Sequence, residues 1–201
     1  MTTIAIVGGG LAGAKAAEAL REQDFDGDVV IFGVENELPY ERPPLSKEFM
    51  QGKQDLPEFT VHDTDWYLDQ RVEFRPGTRI DKVDAEAKTI TLPDGSTLVY
   101  DKLLLATGSS SQHIGLPGAD ASGVHYLRTV DDARAIRDVL TEGTRLAIVG
   151  AGWIGMEVAA SARERGVEVT IAESAKLPLL RALGPEVAQV FADLHREHGV
   201  D

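Results

Sequence analysis

Cysteine is absent from this 201-residue chain. That absence excludes disulfides, thiolate metal sites and a redox-active dithiol anywhere in the sequence. Any redox chemistry must therefore run on a bound cofactor, and no metal site is expected. Long apolar runs are missing too, none approaching the ~18 residues that a membrane span needs. Met1-Thr2-Thr3 leads straight into an apolar stretch with no basic segment ahead of it, so the expectation is no signal peptide and a cytoplasmic protein. Positive charge is scarce: 20 Lys and Arg against 33 Asp and Glu leave a formal net charge of −13. Such a balance argues against a nucleic-acid footprint and against docking on an anionic membrane. Its simplest role is solubility.

Glycine, by contrast, is plentiful, and two glycine clusters punctuate a repeated pattern. Residues 4–7 are an apolar run ending in Gly8-Gly9-Gly10, residues 12–23 are rich in helix formers, and residues 29–32 are β-rich. This order of strand, glycine turn, helix and strand is a βαβ unit. Its continuous apolar strands predict a parallel sheet covered on both faces. The pattern returns as a strand at 145–149, a turn at 150–155, a helix at 156–165 stopped by Gly166, and a strand at 168–172. Between the two copies the sequence predicts a loop over 34–44 and a short helix over 46–50 with Ser46 near its N-cap. A helix over 64–70 and strands over 72–75 and 78–83 follow. A β-hairpin then joins 89–92 to 97–100 through Pro93-Asp94-Gly95. A buried strand is expected at 102–106, and helices at 129–141 and 185–198, the latter with Pro185 at its start. The Gly/Ser-rich stretch 109–123, which contains Pro117, reads as a boundary. The expected domains are therefore 1–112 and 113–201. Too few strands remain after residue 172 to finish a second sheet, so its C-terminal part is expected to be missing.

Gly8-Gly9-Gly10-Leu11-Ala12-Gly13 and Gly150-Ala151-Gly152-Trp153-Ile154-Gly155 both fit G-x-G-x-x-G. In that motif the first glycine makes a tight turn and the second lets a pyrophosphate approach the backbone. The third lets the helix pack close to the strand, while the helix N-terminus offers N–H groups and partial positive charge. One copy alone is compatible with a purely structural turn. Two copies, each after an apolar strand and opening a helix, point to two dinucleotides. An acid should follow each second strand to receive ribose hydroxyls. Glu173 stands there in the second unit, 18 residues after Gly155, and its charge would favour NADH by repelling a 2′-phosphate. It also reads as a solvated strand-end glutamate. In the first unit the candidate is Glu35. Two dinucleotides suggest that one cofactor reduces the other, the pairing of a nicotinamide with a flavin. The cations in Tyr40-Glu41-Arg42-Pro43-Pro44-Leu45-Ser46-Lys47 suit an anionic, electron-rich ligand, although a surface turn explains them equally well.

Four stretches carry a family resemblance: residues 7–13, LPYERPPLSK (38–47), LLATG (104–108) and VGAGWIGME (149–157). On these the chain resembles the FAD-dependent, NADH-using ferredoxin reductases of bacterial oxygenase systems, within the pyridine nucleotide-disulfide oxidoreductase superfamily. The resemblance implies an α/β fold of two Rossmann-like domains, the glutathione reductase-like FAD/NAD(P)-binding fold. It further implies hydride transfer from NADH to FAD and electron delivery to a [2Fe–2S] ferredoxin that feeds a P450 or dioxygenase. Homodimerisation stays open, as do acceptors such as rubredoxin or oxygen and an NADH-responsive binding role. By resemblance, Gly8, Gly10, Leu11, Ala12 and Gly13 hold the FAD pyrophosphate. Ala106, Thr107 and Gly108 pass near it, Ile80 meets the adenine, and Arg42, Lys47 and Arg128 contact FAD. Gly150, Gly152, Trp153, Ile154, Gly155 and Glu173 bind NADH, while Glu157 lies near the nicotinamide and pairs with Lys47. The family has an acid directly after the glycine that aligns with Gly33. Here that residue is Val34, which leaves Glu35 as the substitute ribose ligand.

Overall fold

The computed structural model describes all 201 residues. The chain runs β1 (Thr3–Val7), α1 (Leu11–Glu22), β2 (Asp28–Phe32), a 3-10 turn (Pro43–Ser46), α2 (Glu48–Gln51), a second 3-10 turn (Leu56–Phe59) and α3 (Thr64–Asp69). It continues through β3 (Val72–Arg75), β4 (Lys82–Asp84), β5 (Thr89–Thr91), β6 (Thr97–Val99), β7 (Lys102–Leu105), α4 (Val130–Val139) and β8 (Arg145–Val149). It closes with α5 (Trp153–Glu164), β9 (Glu168–Ala172) and α6 (Leu180–Glu197). No helix is long and apolar enough to cross a membrane. Two units form, one from residues 1–41 and 56–110, the other from 42–55 and 111–201.

In the first unit four parallel strands lie in the order β3-β2-β1-β7. Side chains alternate across a strand, and the apolar run therefore supplies two cores. Ile6, Val29 and Ile31 pack with Ala17 of α1 and Tyr67 of α3. Ala5, Val7, Val30 and Phe32 pack with Ile90 and Tyr100 beside the antiparallel sheet β4-β5-β6. Both faces of β1 and β2 are thus covered, as their unbroken hydrophobicity predicts. The hairpin forms as expected, with Thr89 opposite Val99. The strand expected over 78–83 is reduced to Lys82–Asp84. Gly77 takes φ +60, and the Thr78 N–H donates to the Gly33 carbonyl at 2.7 Å instead of joining a ladder.

In the second unit β8 and β9 pair in parallel, and the backbone of Asp201 exchanges hydrogen bonds with Val169 and Ile171 at 2.9 and 2.7 Å. In this two-stranded sheet β8 alternates between half-buried and exposed residues, and Val149 is 65% exposed. Helix α4 starts on a capping box between Thr129 and Asp132, which satisfies donors that a helix N-terminus otherwise leaves unpaired. α6 starts at Leu180, but Gly184 (φ 75, ψ 171) interrupts it, and Pro185 opens the longer part.

Residues 42–55, expected within domain 1–112, form a strap that packs within the second unit. The expected N-cap role of Ser46 is not seen. A 3-10 turn absorbs Pro43–Ser46, Lys47 occupies the cap of α2 without a side-chain bond, and the Ser46 hydroxyl is engaged elsewhere. Phe49 and Met50 are buried, and Gly52 ends α2 in the left-handed region at φ 76. The Arg165 guanidinium gathers three carbonyls: Leu140 at 2.9 Å, Met50 at 3.1 Å and Arg137 at 3.1 Å. The Arg137 guanidinium in turn lies 4.4 Å from the centre of the Phe49 ring. A charged donor bonded to a partly buried carbonyl contributes roughly 1.5–3 kcal/mol. Arg165→Met is expected to destabilise the second unit by about 2–4 kcal/mol, read as a lower urea midpoint. An unchanged midpoint would show that the strap is held by other means.

Candidate functional site

The two glycine turns are built alike. The Gly8 N–H donates to the Phe32 carbonyl at 2.9 Å, and the Gly150 N–H to the Ala172 carbonyl at 2.8 Å. Both glycines take positive φ, +135 and +102. A Cβ on Gly13 would stand 2.1 Å from the Gly8 oxygen, and one on Gly155 would stand 2.2 Å from the Gly150 oxygen. The helices therefore lie against their turns at a distance only glycine allows. Gly10 and Gly152 differ, because a Cβ on either meets nothing within 4 Å. They are the N-caps of α1 and α5, no side chain caps either helix, and neither first turn carries an acid. The first-turn N–H groups, from Leu11 and Ala12 in one helix and Trp153 and Ile154 in the other, lack intrahelical partners. Open space, unpaired donors and the helix dipole together fit a pyrophosphate at each turn.

The acids beyond the second strands differ between the units. By hydrogen-bond register Gly33 follows β2 as Glu173 follows β9. Gly33 is closely packed, so a larger residue there would crowd its neighbours. A Cβ there would stand 3.0 Å from the Phe74 ring, and a Cβ on Gly9 would stand 2.7 Å from the Gly33 Cα. Glu35, two residues on, accepts a hydrogen bond from the Tyr40 hydroxyl. Glu173 is tied to the glycine turn itself. Its Oε2 accepts from the Ala151 N–H at 2.8 Å, and its Oε1 accepts from the Ala175 N–H at 2.9 Å and the Ser174 hydroxyl at 3.0 Å. The Ala175 N–H, then that of Ala151, holds the carboxyl below the usual carboxylate range. A depressed folded pKa stabilises the folded protein above the unfolded value, about 4.3 for glutamate, and the contribution is lost as pH falls through the folded one. At neutral pH Glu173 is therefore an anion. Beside it opens a cavity of about 220 Å³ walled by Ala151, Met156, Lys176 and His195.

The other expected residues fall into groups. The Ala106 N–H donates to Val7 at 2.8 Å, and its carbonyl lies where a Gly8 Cβ would project. Thr107 and Gly108 follow, Gly108 at φ 68. Ile80 packs on the Ala5, Val7 and Phe32 core rather than in a strand. In the second unit Arg42 donates to the Arg128 carbonyl, and the Arg128 N–H donates to Asp132 at 3.0 Å. The Lys47 Nζ stands 3.1 Å from Glu157 Oε1. Sequence reasoning missed Tyr40 as the partner of Glu35, and Ser46 and Ser161 beside Glu157. The four-residue spacing of Glu157 and Ser161 was the one available signal, since such residues share a helix face.

The glycines divide into structural and open positions. Gly13→Ala and Gly155→Ala, whose methyl groups overlap backbone, are expected to cost more than about 2 kcal/mol. Gly10→Ala and Gly152→Ala are expected to cost at most about 1 kcal/mol, the penalty for alanine at an N-cap. Thermal unfolding of the four variants measures the contrast, and equal losses would contradict it.

A family model described as pyridine nucleotide-disulphide oxidoreductase matches residues 2–201. The ferredoxin–NAD(+) reductase component of the anthranilate 1,2-dioxygenase system of Burkholderia cepacia is 47% identical over 97% of this chain and 48% of its own length. Rhodocoxin reductase of Rhodococcus erythropolis is 37% identical over 98% of this chain and 46% of its own. Among solved structures, the covalent putidaredoxin reductase–putidaredoxin complex superposes with a TM-score of 0.94 and 36% identity, covering all of this chain and 49% of that one. The chain thus spans about half the length of the curated relatives it matches.

Proposed function

The chain belongs to the pyridine nucleotide-disulphide oxidoreductase family, and on that footing we propose that it is the cofactor-binding part of an NADH:ferredoxin reductase. FAD would occupy the first unit, NADH the second, and a [2Fe–2S] ferredoxin would be the acceptor. The observation that carries the reading is Glu173, an anion held at the second glycine turn by the Ala151 N–H. A carboxylate there accepts ribose hydroxyls and repels a 2′-phosphate, which supports NADH as the donor. The names of the ferredoxin reductase relatives support the acceptor. When bound, FAD takes two electrons together and can release them singly, which matches a hydride donor to a one-electron acceptor.

The residues of this chain bind and orient. Gly8 to Gly13 and Gly150 to Gly155 receive the two pyrophosphates on bare helix ends, with Ala106, Thr107 and Gly108 alongside the first. Glu35 serves the first ribose, its carboxylate held by Tyr40. Ile80 supplies a backbone contact to the adenine, while Arg42 and Arg128 hold FAD. Lys47 supplies positive charge that favours a reduced, anionic flavin, and Glu157 fixes where that charge sits. No side chain acts as acid, base or nucleophile, so catalysis is positioning and electrostatics.

An absorbance spectrum of the full-length protein tests the cofactor pair. Flavin bands near ~450 nm should bleach on addition of NADH, and added ferredoxin should then be reduced. Absence of bound flavin would end the proposal, whereas bleaching without ferredoxin reduction would leave the cofactor sites and remove the acceptor. Glu173→Ala is expected to shift the NADH over NADPH preference in kcat/KM by about tenfold toward NADPH, or about 1.4 kcal/mol. An unchanged ratio would take Glu173 out of nucleotide selection.

A further inference from the structure

Leaving tyrosine aside, Ser46 and Ser161 are the two polar residues fully buried in this protein, at 5% and 1% exposure. A buried hydroxyl costs free energy unless it is hydrogen-bonded, and alanine is the better helix former at an interior position such as 161. The two serines are bonded to each other. The Ser161 hydroxyl donates to the Ser46 carbonyl at 2.7 Å and accepts from Gln51 Nε2 at 3.2 Å. The Ser46 hydroxyl has two acceptors in range, Glu157 Oε2 at 2.5 Å and the Pro43 carbonyl at 3.5 Å. It has one proton to give, and the short contact to a carboxylate is the stronger bond.

Glu157 and Ser161 lie one turn apart on α5, so both face the same point of the strap. That point is Ser46, gripped through its carbonyl by Ser161 and through its hydroxyl to Glu157. The next residue is Lys47, whose Nζ meets the other oxygen of Glu157 at 3.1 Å. The side chains of Lys47 and Glu157 are 40% and 30% exposed. Pairs this exposed are worth only about 0–1 kcal/mol, partly because ordering two long side chains costs entropy. A carboxylate pinned at Oε2 by a buried hydroxyl has already lost that freedom, and it presents Oε1 in one direction.

We propose that Ser46 and Ser161 are positioning residues, a buried hydroxyl relay that sets the orientation of Glu157 and so the place of the Lys47 charge. The role assigned to that charge rests on the reductase reading, but the relay itself does not. The test uses the full-length flavin-loaded protein. Acetylation of Lys47 by an N-hydroxysuccinimide ester is followed by mass spectrometry, with Lys53, paired to Glu164 at 2.5 Å, as internal reference. In Ser46→Ala, Lys47 should react about two- to fivefold faster relative to Lys53, the range a half-exposed ion pair can account for. Ser161→Ala keeps the Ser46 hydroxyl and should shift the ratio in the same direction by less. It decides the matter if Ser46→Ala does not fold.

In stopped flow, Ser46→Ala should slow flavin reduction at saturating NADH about tenfold through misplacement, with the Kd for NADH moving less than about twofold. In a Glu157→Gln background the same substitution should add nothing, because residues acting as one unit are not additive. Unchanged Lys47 reactivity in Ser46→Ala, or an equal further slowing in the Glu157→Gln background, would overturn the relay. Failure of the wild-type flavin to be reduced by NADH would overturn the reductase reading instead, and the acetylation ratio would still judge the relay.

Discussion

The close approach of each helix to the strand before it is the constraint from which the rest of the protein follows. At Gly13 and Gly155 no Cβ stands between helix and turn, and a methyl there would lie within 2.2 Å of a carbonyl oxygen. Drawn in this far, α1 and α5 begin at a glycine with no side chain across their ends. Those N-cap glycines, Gly10 and Gly152, leave the first N–H groups bare, and a bare helix end favours an anion.

The two copies of the cradle differ at their rims. In the second unit Glu173 stands where β9 stops and bonds to the turn itself. In the first unit that position is Gly33, pressed between Gly9 and Phe74, and the acid is deferred to Glu35 under the Tyr40 hydroxyl. One site thus keeps its carboxylate on the turn, and the other carries it on the loop that follows.

The strap of residues 42–55 is the third element of the design. It is too short to have a core of its own. It is held by the Arg165 guanidinium, by Phe49 beneath Arg137 and by the paired serines. Lys47 of the strap is thereby delivered to Glu157 on α5. The strap is thus held in two ways, by the buried apolar side chains Leu45, Phe49 and Met50 and by hydrogen bonds through its backbone carbonyls and the Ser46 hydroxyl.

Much of this was legible in the chain of letters. The β1, β2, β3, β8 and β9 strands, the hairpin and both glycine turns followed from apolar runs, β-branched residues and glycine spacing, all of which act over a few residues. Misreadings arose where a distant partner intervened: Thr78 bonds to Gly33 instead of extending a strand, and Ser46 turns toward Glu157 instead of capping a helix. By itself, then, the sequence determined two strand–turn–helix cradles and an acid at the end of β9, because backbone sterics and side-chain periodicity are local. Only the tertiary structure decided that residues 42–55 join residues 111–201 and that Ser46 grips Glu157 and Ser161. Those bonds join residues 111 and 115 apart in the chain, and no local preference encodes a hydrogen bond across that distance.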